Sequence, residues 1–177
     1  MISLTSSDRK GAGMNLIVAA DRNWGIGRDN GLLASLPTDM KYFKEHTIGK
    51  VVVMGRKTLE SMPNKRGLPG RTNYVLTANP DYEAERCKIV HSEYELFDAI
   101  ADYDPDDVYL IGGGSLYNRF YRYCDKLYVT RMDAVLDADT FITDLDADPD
   151  YEIISESEPI TENGITFRFV VYQKIKA

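Results

Sequence analysis

A chain of 177 residues, 44% hydrophobic and 28% charged, can bury one ordinary core and has the composition of a soluble globular protein. Its net charge of −7 and the lack of a long basic run argue against a nucleic-acid surface, and no apolar stretch approaches the ~20 residues of a membrane span. Cys87 and Cys124 share no metal-type spacing with each other or with His46 and His91, so they read as free thiols in a reducing cytoplasm, with no metal site expected.

Residues 1–13 are polar and lack the apolar middle of a signal peptide, which makes them an expected extension ahead of a domain over 14–177. Residues 15–20 (NLIVAA) predict a buried strand. Residues 21–33 follow as a glycine-rich loop. Within it, Gly25-Ile26-Gly27 has the wrong spacing for a dinucleotide fingerprint, and Pro37 interrupts any immediate helix. Trp24 reads as a loop anchor. Thr38 is a good N-cap for a helix running to Thr47, and Leu36, Met40, Phe43 and Thr47 recur at helical spacing on an inward face. Asp39 in the first turn has two readings. It favours the helix dipole from the surface, or it sits at the edge of an apolar pocket and grips paired N–H donors.

Residues 50–54 (KVVVM) predict a strand buried on both faces. Gly55-Arg56-Lys57-Thr58 then opens a short helix to Met62. It is either an anion site, helped by helix-start N–H groups, or a basic turn in solvent. A Pro/Gly loop leads to Arg71, a surface charge or a carboxylate clamp, and residues 72–77 (TNYVLT) form the next strand. A short strand over 87–90 precedes a helix capped by Ser92 and ending near Ala101.

Residues 107–111 (DVYLI) predict another buried strand. Gly112-Gly113-Gly114-Ser115 comes next, then a helix from Leu116 to Tyr123. Glycines after a strand let backbone approach a pyrophosphate at a helix start, although the Walker Lys-Ser/Thr pair is missing. Residues 126–132 alternate as a strand, 134–150 are acidic and loop-like, and 151–158 and 165–174 are two strands joined by a turn with Asn163-Gly164. The order predicts an α/β domain. It has a central mixed, mostly parallel sheet of about eight strands, about four flanking helices and a C-terminal antiparallel hairpin.

Taken together, these stretches resemble bacterial dihydrofolate reductase. The likeness is carried by Ile26-Gly27, Leu36-Pro37-Thr38-Asp39-Met40, Tyr42-Phe43-Lys44, Val53-Met54-Gly55-Arg56-Lys57-Thr58, Leu68-Pro69-Gly70-Arg71, Ile111-Gly112-Gly113-Gly114 and Asp139-Thr140, in order across residues 14–174. The resemblance implies hydride transfer from NADPH to C6 of dihydrofolate, with Asp39 gripping the pterin and Thr130 backing it with a hydroxyl. It implies a folate site lined by Ile17, Ala19, Leu32, Met40, Phe43, Met62, Leu68 and Ile111, with Arg71 clamping the glutamate-tail carboxylate. For NADPH it implies Ala19, Ile26, Gly55, Arg56, Lys57, Thr58, Leu76, Thr77, Gly113, Gly114, Ser115, Leu116, Tyr117 and Thr140, with Arg56 the best partner for the 2′-phosphate. A cytoplasmic monomer that binds dihydrofolate and antifolates, but no nucleic acid or membrane, is the corresponding expectation.

The chain departs from the family at Leu33-Ala34, where Pro-Trp is usual, at Ser115, and at Ala78. The missing Trp leaves space beside the pocket that water or another side chain must fill, Trp24 being one candidate for part of it, and it implies weaker binding of trimethoprim-type inhibitors. Two other readings are a reductase of the same fold acting on a riboflavin-pathway pyrimidine, and a non-catalytic nucleotide-binding protein. The first should lack the pair Asp39 and Arg71, and Asp39, Phe43, Arg71 and Thr130 together argue against both.

Overall fold

The valine run at Val51–Gly55 (β3) has no polar face, so it can lie only where the sheet is covered on both sides. In the computed structural model, which describes residues 13–175, β3 sits inside a sheet that also contains β1 (Met14–Ala20), β4 (Thr72–Leu76), β5 (Cys87–Val90), β6 (Val108–Gly112), β7 (Cys124–Met132), β10 (Ile160–Glu162) and β11 (Ile165–Lys174). The strand order is β10-β11-β7-β1-β6-β3-β4-β5, and β9 (Tyr151–Glu156) also pairs with β11. The six strands from β7 to β5 are parallel, while β11 is antiparallel to β7, β9 and β10. The α/β class and the mostly parallel sheet expected from the sequence are therefore present.

Among the described residues four α-helices accompany the sheet: α1 (Pro37–Thr47), α2 (Arg56–Glu60), α3 (Glu93–Ile100) and α4 (Gly114–Phe120). The chain crosses from β1 past β6 to β3 through α1, and from β6 past β1 to β7 through α4. Alternation along β1 sends Met14, Leu16, Val18 and Ala20 into the largest core, shared with Leu96 and Ile100 of α3 and Leu116 and Phe120 of α4. The other face carries two separate clusters. One gathers Val52, Met54, Leu59 and Val75; the other is Leu36, Met132 and Phe167. Helices thus lie on opposite faces either side of the β1/β6 pair, the place where open α/β sheets leave a crevice.

Several local expectations are corrected. The N-cap of α1 is Leu36, Pro37 is its first residue, and Thr38 lies inside the first turn. Pro37 explains the shift, because its fixed φ and absent N–H suit the opening position of a helix. Met40 does not face inward but is 56% exposed, whereas Leu36 and Thr47 are buried. The stretch 21–33 is not loop throughout: β2 (Gly25–Gly27) pairs with β8 (Thr140–Phe141), itself inside the segment read as an acidic loop. The helix placed at 116–123 starts at Gly114, ends at Phe120 and gives way to a 3-10 turn.

Trp24 is buried, as its anchoring reading requires, with the Arg131 guanidinium 3.6 Å from its ring centroid and Tyr172 beside it. It packs in the main core, whereas Ala34 packs against the Leu36–Met132–Phe167 cluster, so Trp24 does not fill the place of the missing Trp. Ser92 caps α3 as expected, accepting from the Glu95 N–H.

The Asn163-Gly164 turn joins β10 to β11, not β9 to β11, with Glu162 opposite Ile165. Both turn residues have positive φ, 51° and 77°, which matches the right-handed twist of the paired strands. A Cβ at Gly164 would meet nothing within 4 Å, so only backbone strain opposes one. Gly164→Ala is therefore expected to lower stability by about 1 kcal/mol, read from urea unfolding.

Candidate active site

The site begins with one hydrogen bond between distant elements. The Thr130 hydroxyl on β7 donates to Asp39 Oδ1 on α1 at 2.6 Å. Thr130 is 2% exposed and its backbone lies beside Ala19 of β1, so the sheet fixes the donor. Asp39 is half-buried and has no ion pair with a cation among the described residues. Burial pushes its carboxyl above the ordinary 3.8; the Thr130 bond opposes that shift, and the negative charge of Glu162 adds to it. A carboxylate held this way keeps one oxygen for a ligand and gains most from paired N–H donors.

Around it, Ala19 belongs to the cluster with Leu36, while Met62, Leu68 and Ile111 belong to the cluster with Val52 and Met54. These four are half-buried. Ile17 is buried in β1, and its carbonyl accepts the Tyr117 hydroxyl at 2.8 Å. Phe43 is half-buried, Met40 exposed and Leu32 78% exposed. Beyond Leu68, Arg71 donates from Nε to the Pro69 carbonyl at 3.0 Å and from Nη1 to Thr47 Oγ1 at 3.1 Å. Those bonds aim the guanidinium without neutralising it. Burial lowers its proton affinity.

A second group lies where β3 and β6 end. The strands are neighbours, with Met54 opposite Gly112, and each leads into a helix whose N-cap, Gly55 or Gly113, supplies no side-chain acceptor. Two sets of orphan N–H donors thus start side by side. The approach is close: a Cβ on Gly113 would lie 3.3 Å from Thr58 Oγ1, and one on Gly114 2.5 Å from Thr140 Cγ2. Gly112 needs its lack of side chain for its φ of +132°. Ile26 and Thr140 from the β2/β8 pair approach Gly114. Ser115 is exposed, while the Leu116 and Tyr117 side chains enter the core, and the Tyr117 N–H is already spent on the Gly113 carbonyl.

The basic turn is organised differently from a bare anion site. Arg56 Nη1 meets both Glu60 oxygens, at 3.0 and 3.2 Å, and Lys57 is exposed. Leu76 closes β4 opposite Val90 of β5, and just beyond it the Thr77 N–H donates to the Val90 carbonyl. Loop 21–36 reaches across both groups. Asn30 Nδ2 donates to the Lys57 carbonyl at 3.0 Å, and the Asp29 N–H to Asp139 Oδ2 at 2.9 Å. Glu162 and Asn163, which sequence reasoning did not single out, also touch the site: Glu162 holds Thr38, and Asn163 Nδ2 donates to the Ser35 carbonyl at 2.8 Å. Only the Asn163-Gly164 turn signal marked that place. Among the described residues no group of three or more His, Cys, Asp or Glu could hold a metal, and no helix is long and apolar enough to cross a membrane.

The fold and the site define an α/β protein in which a buried hydroxyl holds a half-buried carboxylate, with two helix starts that carry no side-chain cap at the ends of neighbouring strands. Residues 13–174 match the dihydrofolate reductase family. Dihydrofolate reductase of Bacillus subtilis is 34% identical over 163 residues, 91% of this chain and 94% of that protein. The Enterococcus faecium dihydrofolate reductase is 39% identical over 160 residues, 89% of this chain and 94% of its own length. A structure of Enterococcus faecalis dihydrofolate reductase complexed with NADP(H) and RAB-propyl superposes with a TM-score of 0.83 at 32% identity, covering 94% of this chain and 98% of that one. The chain belongs to the dihydrofolate reductase family, enzymes that reduce dihydrofolate with NADPH.

The raised carboxyl of Asp39 has a consequence for stability. The folded state binds its proton more tightly than the unfolded chain, so this group's contribution is most favourable below 3.8 and is lost as pH rises through the raised value. Asp39→Asn should therefore gain stability over the parent at pH 7 and show little difference at pH 3, read from thermal unfolding at the two values.

Proposed function

We propose that Asp39 is the sole ionisable contact to the pterin of 7,8-dihydrofolate, accepting from its amino group and ring N–H, and that Thr130 holds the carboxylate in register. The bond between Thr130 and a half-buried, unpaired Asp39 is the observation that carries this reading. Ile17, Ala19, Leu32, Met40, Phe43, Met62, Leu68 and Ile111 line the rest of the folate site and exclude water from the ring. Arg71, aimed by Thr47 and Pro69 and lacking an acidic partner among the described residues, clamps the α-carboxylate of the glutamate tail.

The donor set at the ends of β3 and β6 suits a dinucleotide. Free helix-start N–H groups at Gly114, Ser115 and Leu116 face a pyrophosphate, together with Gly55, Lys57, Thr58 and Gly113. Tyr117 contributes through its hydroxyl on the Ile17 carbonyl, and Ala19, Ile26 and Thr140 contribute beside the nicotinamide end. Leu76 and Thr77 flank the adenosine end with Arg56, whose guanidinium exchanges Glu60 for the 2′-phosphate. When bound, NADPH supplies the hydride that C6 of dihydrofolate receives. The chain's part is to orient the two rings, desolvate them and admit the water that protonates N5. The domain spans residues 14–177 and works as a cytoplasmic monomer.

NADPH oxidation with dihydrofolate as the only acceptor, followed by absorbance with NADH alongside, tests the reading. Rapid oxidation with NADPH and little with NADH is expected; none from folded, NADPH-binding protein would remove it. Asp39→Asn should cut turnover by about 100-fold or more while NADPH affinity holds. Arg71→Gln should raise KM for dihydrofolate roughly tenfold with the KM for NADPH unchanged.

Ala34, packed with Leu36 and Phe167 where a larger ring is usual, leaves trimethoprim-type antifolates with less to pack against. Ala34→Trp should tighten their binding about tenfold, measured by inhibition at fixed dihydrofolate.

A further inference from the structure

Helix α1 carries Asp39 yet has no cap of its own. Leu36, at the N-cap, offers no side-chain acceptor, and the Thr38 N–H is one of the orphan donors of the first turn. The missing acceptor arrives from 124 residues away: Glu162 Oε1, at the end of β10, accepts from the Thr38 N–H at 3.0 Å, and Glu162 Oε2 accepts from the Thr38 hydroxyl. The next residue repeats the attachment, Asn163 Nδ2 holding the Ser35 carbonyl at 2.8 Å. The β10–β11 turn therefore grips residues 35–38 immediately before Asp39, while Thr130 grips Asp39 from β7.

We propose that Glu162 is a positioning residue for the reductase reaction: by capping α1 in trans through Thr38 it fixes where Asp39 points. The proposal rests on the assignment of Asp39 to the pterin made above. A negative group at a helix N-terminus is favourable in itself, so Glu162 suits the cap. It also lies near enough for its charge to add to the proton affinity of Asp39. The other groups facing Asp39 are Tyr42 on its own helix, Tyr117 from α4 and the neutral Thr130 hydroxyl from β7. Burial raises both tyrosines, Tyr42 to about 12, so both stay neutral at working pH and leave Glu162 as the charge that tunes Asp39.

The test compares Glu162→Gln and Glu162→Ala in the full chain. One readout is the Asp39 carboxyl titration by carbon-13 NMR without ligands; the other is kcat for dihydrofolate reduction against pH. In Glu162→Gln the Asp39 midpoint should fall as the charge is lost, with the kcat profile following it. Its amide oxygen still accepts from the Thr38 N–H, so kcat at the optimum stays near that of the parent. Glu162→Ala loses cap and charge together, and kcat should fall roughly fivefold further with the KM for NADPH unchanged. Unchanged midpoint and kcat in both variants, or a loss of thermal stability alone, overturns the proposal. Should Glu162→Ala not fold, the Gln variant still decides through its midpoint. A parent enzyme that fails to reduce dihydrofolate overturns the assignment of function instead, and the NMR titration separates the two failures.

Discussion

The site depends on a buried hydroxyl holding a carboxylate that has no cationic partner among the described residues. Thr130 reaches Asp39 because β7 lies beside β1 on one side and β11 on the other, so its side chain has no freedom to leave. Pairing Asp39 with Lys or Arg would stabilise its charge and occupy the oxygens a ligand needs. A neutral donor leaves the carboxylate under desolvation, with its proton affinity raised and its free oxygen available.

The same logic of withheld partners recurs at the cofactor end. Gly55 and Gly113 cap their helices with nothing, although a Ser or Asp at either place would satisfy the first turn. Both helix starts are thereby left without a side-chain acceptor, side by side on paired strands. Where the chain does satisfy its own groups, it does so to hold the loop over the site. Asp21 is buried and accepts from the N–H groups of Asn23, Gly25 and Leu136, and Asp139 receives the N–H of Asp29.

Arg56 and Arg71 illustrate how context divides two similar residues. Arg71 is held by a carbonyl and a hydroxyl, neither of which cancels its charge. Arg56 sits against Glu60 one turn along the same helix, so its charge is already compensated. The sequence presents both as cations at the edge of a strand; only their neighbours distinguish a free clamp from a paired one.

Much of the fold was legible in advance because it rests on local chemistry. The valine run made β3, the glycine turn after β6 gave a helix start, Ser92 capped α3, and Asn163-Gly164 closed a hairpin. Asp39 and Thr130 could be named from the family resemblance, whereas the bond between them could not be read from spacing, since 91 residues separate them. Thr38 failed as an N-cap because Pro37 opened the helix first, and Met40 failed as a buried residue because periodicity locates a face without saying whether anything covers it. Glu162 was invisible: an acidic residue before a turn has no local signal that it will cap a helix 124 positions earlier. Sequence alone determined the longer elements, their types and the inventory of chemical groups, because propensity, patterning and turn chemistry act over a few residues, whereas short strands such as β2, β8 and β10 exist only through their partners. Tertiary structure alone decided which groups meet, which charges stay unpaired and which donors remain open, because sheet order and strand register bring together residues that the chain keeps far apart.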